Sequence, residues 1–142
     1  MFLGEYEYKI DPKGRVAIPP KFRGEFWEGI VLAKGLDRCI IVYPPPLWKE
    51  VSDRFHALPI ARSKERRMSR TIFAPSFSLE LDEQGRVILP PPLRQYAEIK
   101  ETVIIAGINN YLEIWSKELW EEEQAFMEEQ AWQIAEGMET RQ

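Results

Sequence analysis

Arg15 and Arg86 each stand four residues after an aspartate and one after a glycine, and each is followed by a valine and a Pro-Pro pair. A guanidinium carries five donors in a planar fork, so an arginine beside a turn suits an external anion, phosphate or the edge of a guanine. A second possibility is as specific: Arg15 could fold back on Asp11, and Arg86 on Asp82, each holding its own turn by a salt bridge. Lys13 adds a second cation to the first of these turns.

The arginines belong to a phrase that occurs twice, Asp11-Pro12-Lys13-Gly14-Arg15-Val16-Ala17-Ile18-Pro19-Pro20-Lys21-Phe22-Arg23 and Asp82-Glu83-Gln84-Gly85-Arg86-Val87-Ile88-Leu89-Pro90-Pro91-Pro92-Leu93-Arg94. The chain is therefore a duplicated module. Upstream of the first copy, Glu5-Tyr6-Glu7-Tyr8-Lys9-Ile10 alternates polar and apolar residues, and Arg15-Val16-Ala17-Ile18 does so more loosely, which predicts a β-hairpin around the turn. Asp accepts backbone hydrogen bonds in such a turn, Pro12 supplies its φ, and glycine tolerates the positive φ at its end.

Each copy continues through a proline-led helical turn into a second β pair. In copy one Ile30–Gly35 precedes Cys39–Tyr43, and in copy two Thr102–Gly107 precedes Tyr111–Trp115. The offset between copies changes from 71 to 72 residues, so copy two has one residue inserted between its hairpins. Trp48 and Trp120 follow at matching positions and are expected to seat the start of a helix on the sheet. One helix is expected over 47–57, and a longer one is capped by Ser116, with Leu119, Trp120, Phe126, Met127, Ala131 and Ile134 at helical spacing.

Units of roughly 50 residues bury too little surface to be stable alone, so the copies must pack on each other or on other subunits. The net charge of −4 is unevenly spread: residues 113 to 142 carry nine acidic and two basic side chains, which leaves +3 on residues 1 to 112. A charged tail of this kind ordinarily forms a solvated helix face. Export and membrane-span patterns are both missing, which predicts a cytoplasmic chain.

Little of the residue inventory supports catalysis. One cysteine, Cys39, lies in an apolar run and reads as a small core side chain, and one histidine, His56, has no partner for metal or nucleophile chemistry. Phosphate-cradling glycine motifs do not occur, and the carboxylates Glu121-Glu122-Glu123 fall on an acidic helix. No cofactor is expected.

Asp11 to Pro19 resembles the signature hairpin of the SpoVT/AbrB-like swapped-hairpin domains, and two copies in one short chain look like the MraZ family. The opening Phe2-Leu3-Gly4-Glu5-Tyr6, the second phrase, the closure Glu113-Ile114-Trp115-Ser116 and the acidic final helix match that family's layout over essentially the full length. The resemblance implies a mainly β fold with peripheral helices (α+β), a tandem swapped-hairpin barrel made by internal duplication. It divides the chain into domains at 5–48 and 76–119, a basic helical connector at 49–75 and an acidic C-terminal helix at 120–142.

By the same resemblance the chain would be a nucleoid-associated, sequence-specific regulator. As a ring-like homo-oligomer it would bind short tandem promoter repeats of double-stranded DNA and repress the division and cell-wall gene cluster containing its own gene. The family's DNA-facing Asp-x-x-x-Arg motif maps onto Asp11 and Arg15, and onto Asp82 and Arg86. Copy two departs by having Glu83-Gln84 where copy one has Pro12-Lys13, so copy one is expected to dominate the contact. Lys9, Lys21 and Arg23 are candidates for phosphate contacts or ordinary solvated charges. The connector cations Arg62, Lys64, Arg66, Arg67 and Arg70 could face either solvent or DNA. An oligomeric interaction module that binds no DNA is the alternative from another class.

Overall fold

The two repeats are interleaved, not placed side by side. A computed structural model describes residues 1–57 and 59–140; Leu58, Arg141 and Gln142, which the sequence places in the connector and the final helix, lie outside the described residues. In chain order the strands are β1 (Glu5–Lys9), β2 (Arg15–Ala17), β3 (Ile30–Lys34) and β4 (Ile40–Tyr43) from repeat one. Repeat two supplies β5 (Phe77–Leu79), β6 (Arg86–Ile88), β7 (Thr102–Gly107) and β8 (Leu112–Ser116). The helices are α1 (Pro45–His56), α2 (Ser63–Phe73), α3 (Pro91–Tyr96) and α4 (Lys117–Thr140).

Six strands form one antiparallel sheet in the order β1-β7-β8-β4-β3-β5, and β2 pairs with β6 in a separate ribbon. Exchanging the repeats reverses that order onto itself, so a pseudo-twofold axis passes between β4 and β8 and through the ribbon. The first strand of each repeat lies on the third strand of the other: Tyr6 is opposite Ile105 and Tyr8 opposite Val103, while Phe77 is opposite Leu32. This corrects the local hairpin expected around Asp11. Its turn closes through Asp11 N–H to Arg15 C=O at 2.9 Å and Gly14 N–H to Asp11 C=O at 2.9 Å, and the two flanking strands then part to different sheets.

The reason is burial. Strand alternation puts one face of β1 inward, and two short strands joined by a turn cannot bury that face alone. Crossing to the other repeat lets Val16, Ile18, Val87 and Leu89 of the ribbon region close over Ile30, Leu32, Ile40, Val42, Val103, Ile105, Leu112 and Ile114 of the sheet. Each such side chain contributes roughly 1.5–3 kcal/mol. The architecture is α+β with a mainly antiparallel sheet, and the strand pairings among the described residues stop at the sheet and the ribbon without closing a barrel.

On the sheet's other face a smaller cluster of Cys39, Ile104, Ala106, Trp115 and Trp120 lies beneath the start of α4. Burial is the main reason the Cys39 thiol is pushed far above its usual range, in keeping with a core side chain. Ser116 Oγ accepts the Leu119 N–H at 3.1 Å and caps α4. Trp120 packs with its ring tilted on Trp115, centroids 5.6 Å apart, and Trp48 likewise on Tyr43 at 5.3 Å, so both tryptophans seat helices as expected. The residue inserted in copy two is absorbed where the 3₁₀ turn Pro20–Glu25 of repeat one is replaced by the α-turn of α3, followed by Glu98 at φ 54°.

Candidate nucleic-acid interface

The two Asp–Arg loops meet at the pseudo-twofold axis. In each, one carboxylate organises the turn: Asp11 Oδ1 accepts the N–H groups of Lys13 and Arg15 at 2.9 Å, and Oδ2 accepts Arg15 Nε at 2.7 Å. Asp82 does the same for Gln84 N–H, Arg86 N–H and Arg86 Nε, each at 2.9 Å. The fold-back contact and the partly exposed arginine are therefore the same arrangement. Each arginine meets its own aspartate through Nε, and the side chains remain 27% and 28% exposed.

Antiparallel pairing of the ribbon, with Val16 opposite Val87, brings the loops close enough to interact. Arg86 Nη1 stands 3.6 Å from Asp11 Oδ2, and Arg15 Nη1 stands 3.9 Å from Asp82 Oδ2. Main-chain bonds tie the same crossing, Ile18 N–H to Gly85 C=O at 2.9 Å and Leu89 N–H to Gly14 C=O at 2.8 Å. Both carboxyls are held below the ordinary carboxylate range. For Asp11 the main cause is the Arg15 N–H, partly offset by desolvation and reinforced by the Arg15 guanidinium and the Lys13 N–H; for Asp82 it is the Arg86 N–H, followed by the equivalent contacts.

Gly14 and Gly85 have φ of 80° and 78°, where a side chain is strained. Each is also covered by an arginine from the opposite half. A Cβ on Gly14 would come within 2.7 Å of Arg94 Nη1, and one on Gly85 would overlap the Arg23 side chain, whose Nε donates to Ile18 C=O at 2.9 Å. Arg23 is thus part of the site as a brace under the second loop. Arg94, its counterpart under the first, escaped the sequence reasoning although it ends the repeated phrase.

Lys13 is exposed at the tip of the first loop, and Lys9 is exposed at the end of β1. Lys21 lies over aromatic rings, with Nζ 5.2 Å from the centre of the Tyr6 ring and 5.6 Å from that of Phe22. Because Val16 and Val87 point inward, the ribbon's outer face carries Arg15, Ala17, Arg86 and Ile88. Ile88 is 51% exposed and sits opposite Arg15, a second surface residue that strand alternation could have revealed. The connector cations lie on α2 and at its N-terminal boundary, in a segment separate from the loops.

Chemically, this face can present two preorganised guanidinium forks to a polyanion. It offers no cluster of His, Cys, Asp or Glu able to hold a metal among the described residues. The model of the family described as "MraZ protein, putative antitoxin-like" matches the chain twice, over residues 1–71 and 72–141. The chain belongs to the MraZ family. Its MraZ relatives include the transcriptional regulator MraZ of Dehalococcoides mccartyi, 49% identical over 140 residues, covering 98% of this chain and 99% of that protein. The transcriptional regulators MraZ of Herpetosiphon aurantiacus (49% over 121 residues, 85% of each chain) and Thermoanaerobacter pseudethanolicus (45% over 122 residues, 86% of this chain and 85% of that one) are similar as well. These MraZ proteins carry the name of a regulator and not of an enzyme. Among the described residues no helix is long and apolar enough to cross a membrane.

Proposed function

We propose that this chain is a DNA-binding transcriptional regulator whose reading surface is the outer face of the β2–β6 ribbon with its two Asp–Arg loops. The observation that carries this is the fixed pair of guanidiniums, each anchored through Nε to its own loop's aspartate, with Nη1 3.6 to 3.9 Å from the other loop's aspartate and the side chain still partly exposed. A two-stranded ribbon fits the major groove of B-DNA, where an arginine fork donates to guanine O6 and N7. Asp11 and Asp82 orient the forks. Lys13 and Lys9 add phosphate contacts, Lys21 adds one at the margin, and Arg23 and Arg94 brace the loops.

Copy one is the stronger reader because Lys13 stands where copy two has Gln84, next to the acidic Glu83. The reading units are residues 5–48 and 76–119, joined by the connector 49–75 and followed by the helix 120–142. One subunit neutralises few phosphates, so several subunits on tandem repeats are needed to turn weak contacts into avidity. The protein then acts in the cytoplasm, on the nucleoid, as a ring-like homo-oligomer. It represses the division and cell-wall gene cluster containing its own gene by occluding the promoter.

The test compares DNA from upstream of its own gene with scrambled DNA in a mobility-shift assay, using wild type and Arg15→Ala. Selective binding by wild type and its loss in the variant are expected. Equal binding of both DNAs, or an unaffected variant, would overturn the loop assignment. The acidic α4 favours the alternative of an assembly module, for which neither DNA would bind.

A further inference from the structure

The 71-residue offset that maps Arg15 onto Arg86 also maps Ala17 onto Ile88. The outer face of the ribbon therefore carries two unequal pairs, Arg15 opposite Ile88 and Ala17 opposite Arg86. Ile88 is half exposed, whereas its neighbours Val87 and Leu89 are buried in the core shared by the two repeats. An isoleucine thus stands beside one arginine and an alanine beside the other.

Backbone bonding brings Ile88 close to its arginine. The Arg15 N–H donates to Asp11 Oδ1 at 2.9 Å and the Arg15 C=O accepts the Asp11 N–H at 2.9 Å, so Arg15 and Ile88 form a non-hydrogen-bonded pair of the ribbon. Such pairs hold their Cα atoms about 4.5 Å apart, with the side chains closest on the shared face. That separation is near the spacing of about 3.4 Å between successive nucleotides of a strand. Arg15 and Ile88 can address adjacent positions in one groove.

Chemistry then limits what Ile88 can meet there. An aliphatic side chain makes no hydrogen bond, so pressed against a donor or acceptor of a base edge it displaces water and leaves that group unpaired. Among the major-groove edges only thymine offers an apolar group, its 5-methyl. We infer that Ile88 determines sequence specificity by packing on the 5-methyl of a thymine beside the guanine taken by Arg15. The half-site is then composite: repeat one supplies the guanidinium and repeat two the apolar contact. Ala17 carries a single methyl beside Arg86 and reaches less far, so the thymine dependence belongs to the Arg15 side. This inference rests on the proposed DNA-reading ribbon and names part of what it reads.

Replacing every thymine of the upstream DNA by deoxyuridine removes the methyl groups and keeps every hydrogen-bonding edge. Fluorescence anisotropy at fixed salt compares the two DNAs, with scrambled DNA as reference, for wild type, Ile88→Ala and Ile88→Val. Wild type is expected to bind the thymine form about fourfold more tightly per contacting subunit, the effect of burying one methyl-sized group. Ile88→Val is expected to keep most of that ratio, and Ile88→Ala to bring it close to one. A wild-type ratio of one, or the same ratio in wild type and Ile88→Ala through an equal loss on both DNAs, would overturn the role of Ile88 and leave the ribbon as reader. Wild type that binds scrambled DNA as well as the upstream DNA would overturn the ribbon reading itself.

Discussion

Asp11 accepts three donors from its own loop, so its ionised form is built into the turn, and Asp82 repeats the arrangement. A carboxylate whose folded pKa is depressed contributes stability above its unfolded pKa and loses that contribution as pH falls through the folded value. The unfolded value is about 4. Loop order, followed by amide exchange at Gly14 and Gly85, should therefore be constant from neutral pH to about 5 and decline only below about 4. An onset near pH 6 would mean another group holds the loops. Arg15→Ala should weaken each subunit's contact by about 1–3 kcal/mol, enough across an oligomer to abolish binding, while leaving the melting temperature nearly unchanged. Arg15→Lys should not rescue affinity, because an ammonium cannot hold Asp11 with one edge and DNA with the other.

At the scale of elements, the glycines and strands depend on the opposite repeat. Gly85→Ala and Gly14→Ala each carry the left-handed penalty of about 1–2 kcal/mol. Gly85→Ala should cost more in a urea melt, since Arg23 is held by Ile18 C=O and meets the new methyl near its stem, whereas Arg94 meets Gly14 only with its far end. Equal costs would remove the bracing role from Arg23. A fragment of residues 1–75 lacks the partners of β1 and β2, which lie on β7 and β6. It should associate into an intertwined dimer, and a folded monomer in sedimentation would contradict the interleaving. Removing the cap with Ser116→Ala should cost about 1 kcal/mol.

For the whole molecule, charge is divided between the ribbon face and α4. The ribbon face gathers Lys13, Arg15, Arg23, Arg86 and Arg94 against Asp11, Asp82 and Glu83, whereas α4 is strongly acidic. Promoter binding should therefore fall steeply with salt although the chain is net acidic, because release of counterions from phosphate depends on the local contact. A flat salt response in filter binding would remove phosphate from the proposed interface. α4 is tied to the body by repeat one: Glu5 Oε1 accepts Trp120 Nε1 at 2.8 Å and Gln124 Nε2 at 3.0 Å, and Lys117 Nζ lies 3.2 Å from Glu7 Oε1.

Local chemistry made much of this legible. Asp11, Gly14 and Arg15 announced a tight turn with a fork beside it, alternation marked the strands, Ser116 marked the start of α4, and the repeated phrase showed that Arg86 has the same setting as Arg15. None of these signals crosses from one repeat to the other. Strand pairing is decided by which partner buries both faces, and that choice sent β1 to β7 and β5 to β3 in place of local hairpins. Only the resulting crossing set two loops 71 residues apart within one ion-pair cluster, placed Arg94 and Arg23 under each other's glycines, and left Ile88 on the outer face of the ribbon. The residue types determined what each loop can bind. The tertiary structure decided that the two loops lie on one surface, because burial of the shared core outweighs pairing between neighbours in sequence.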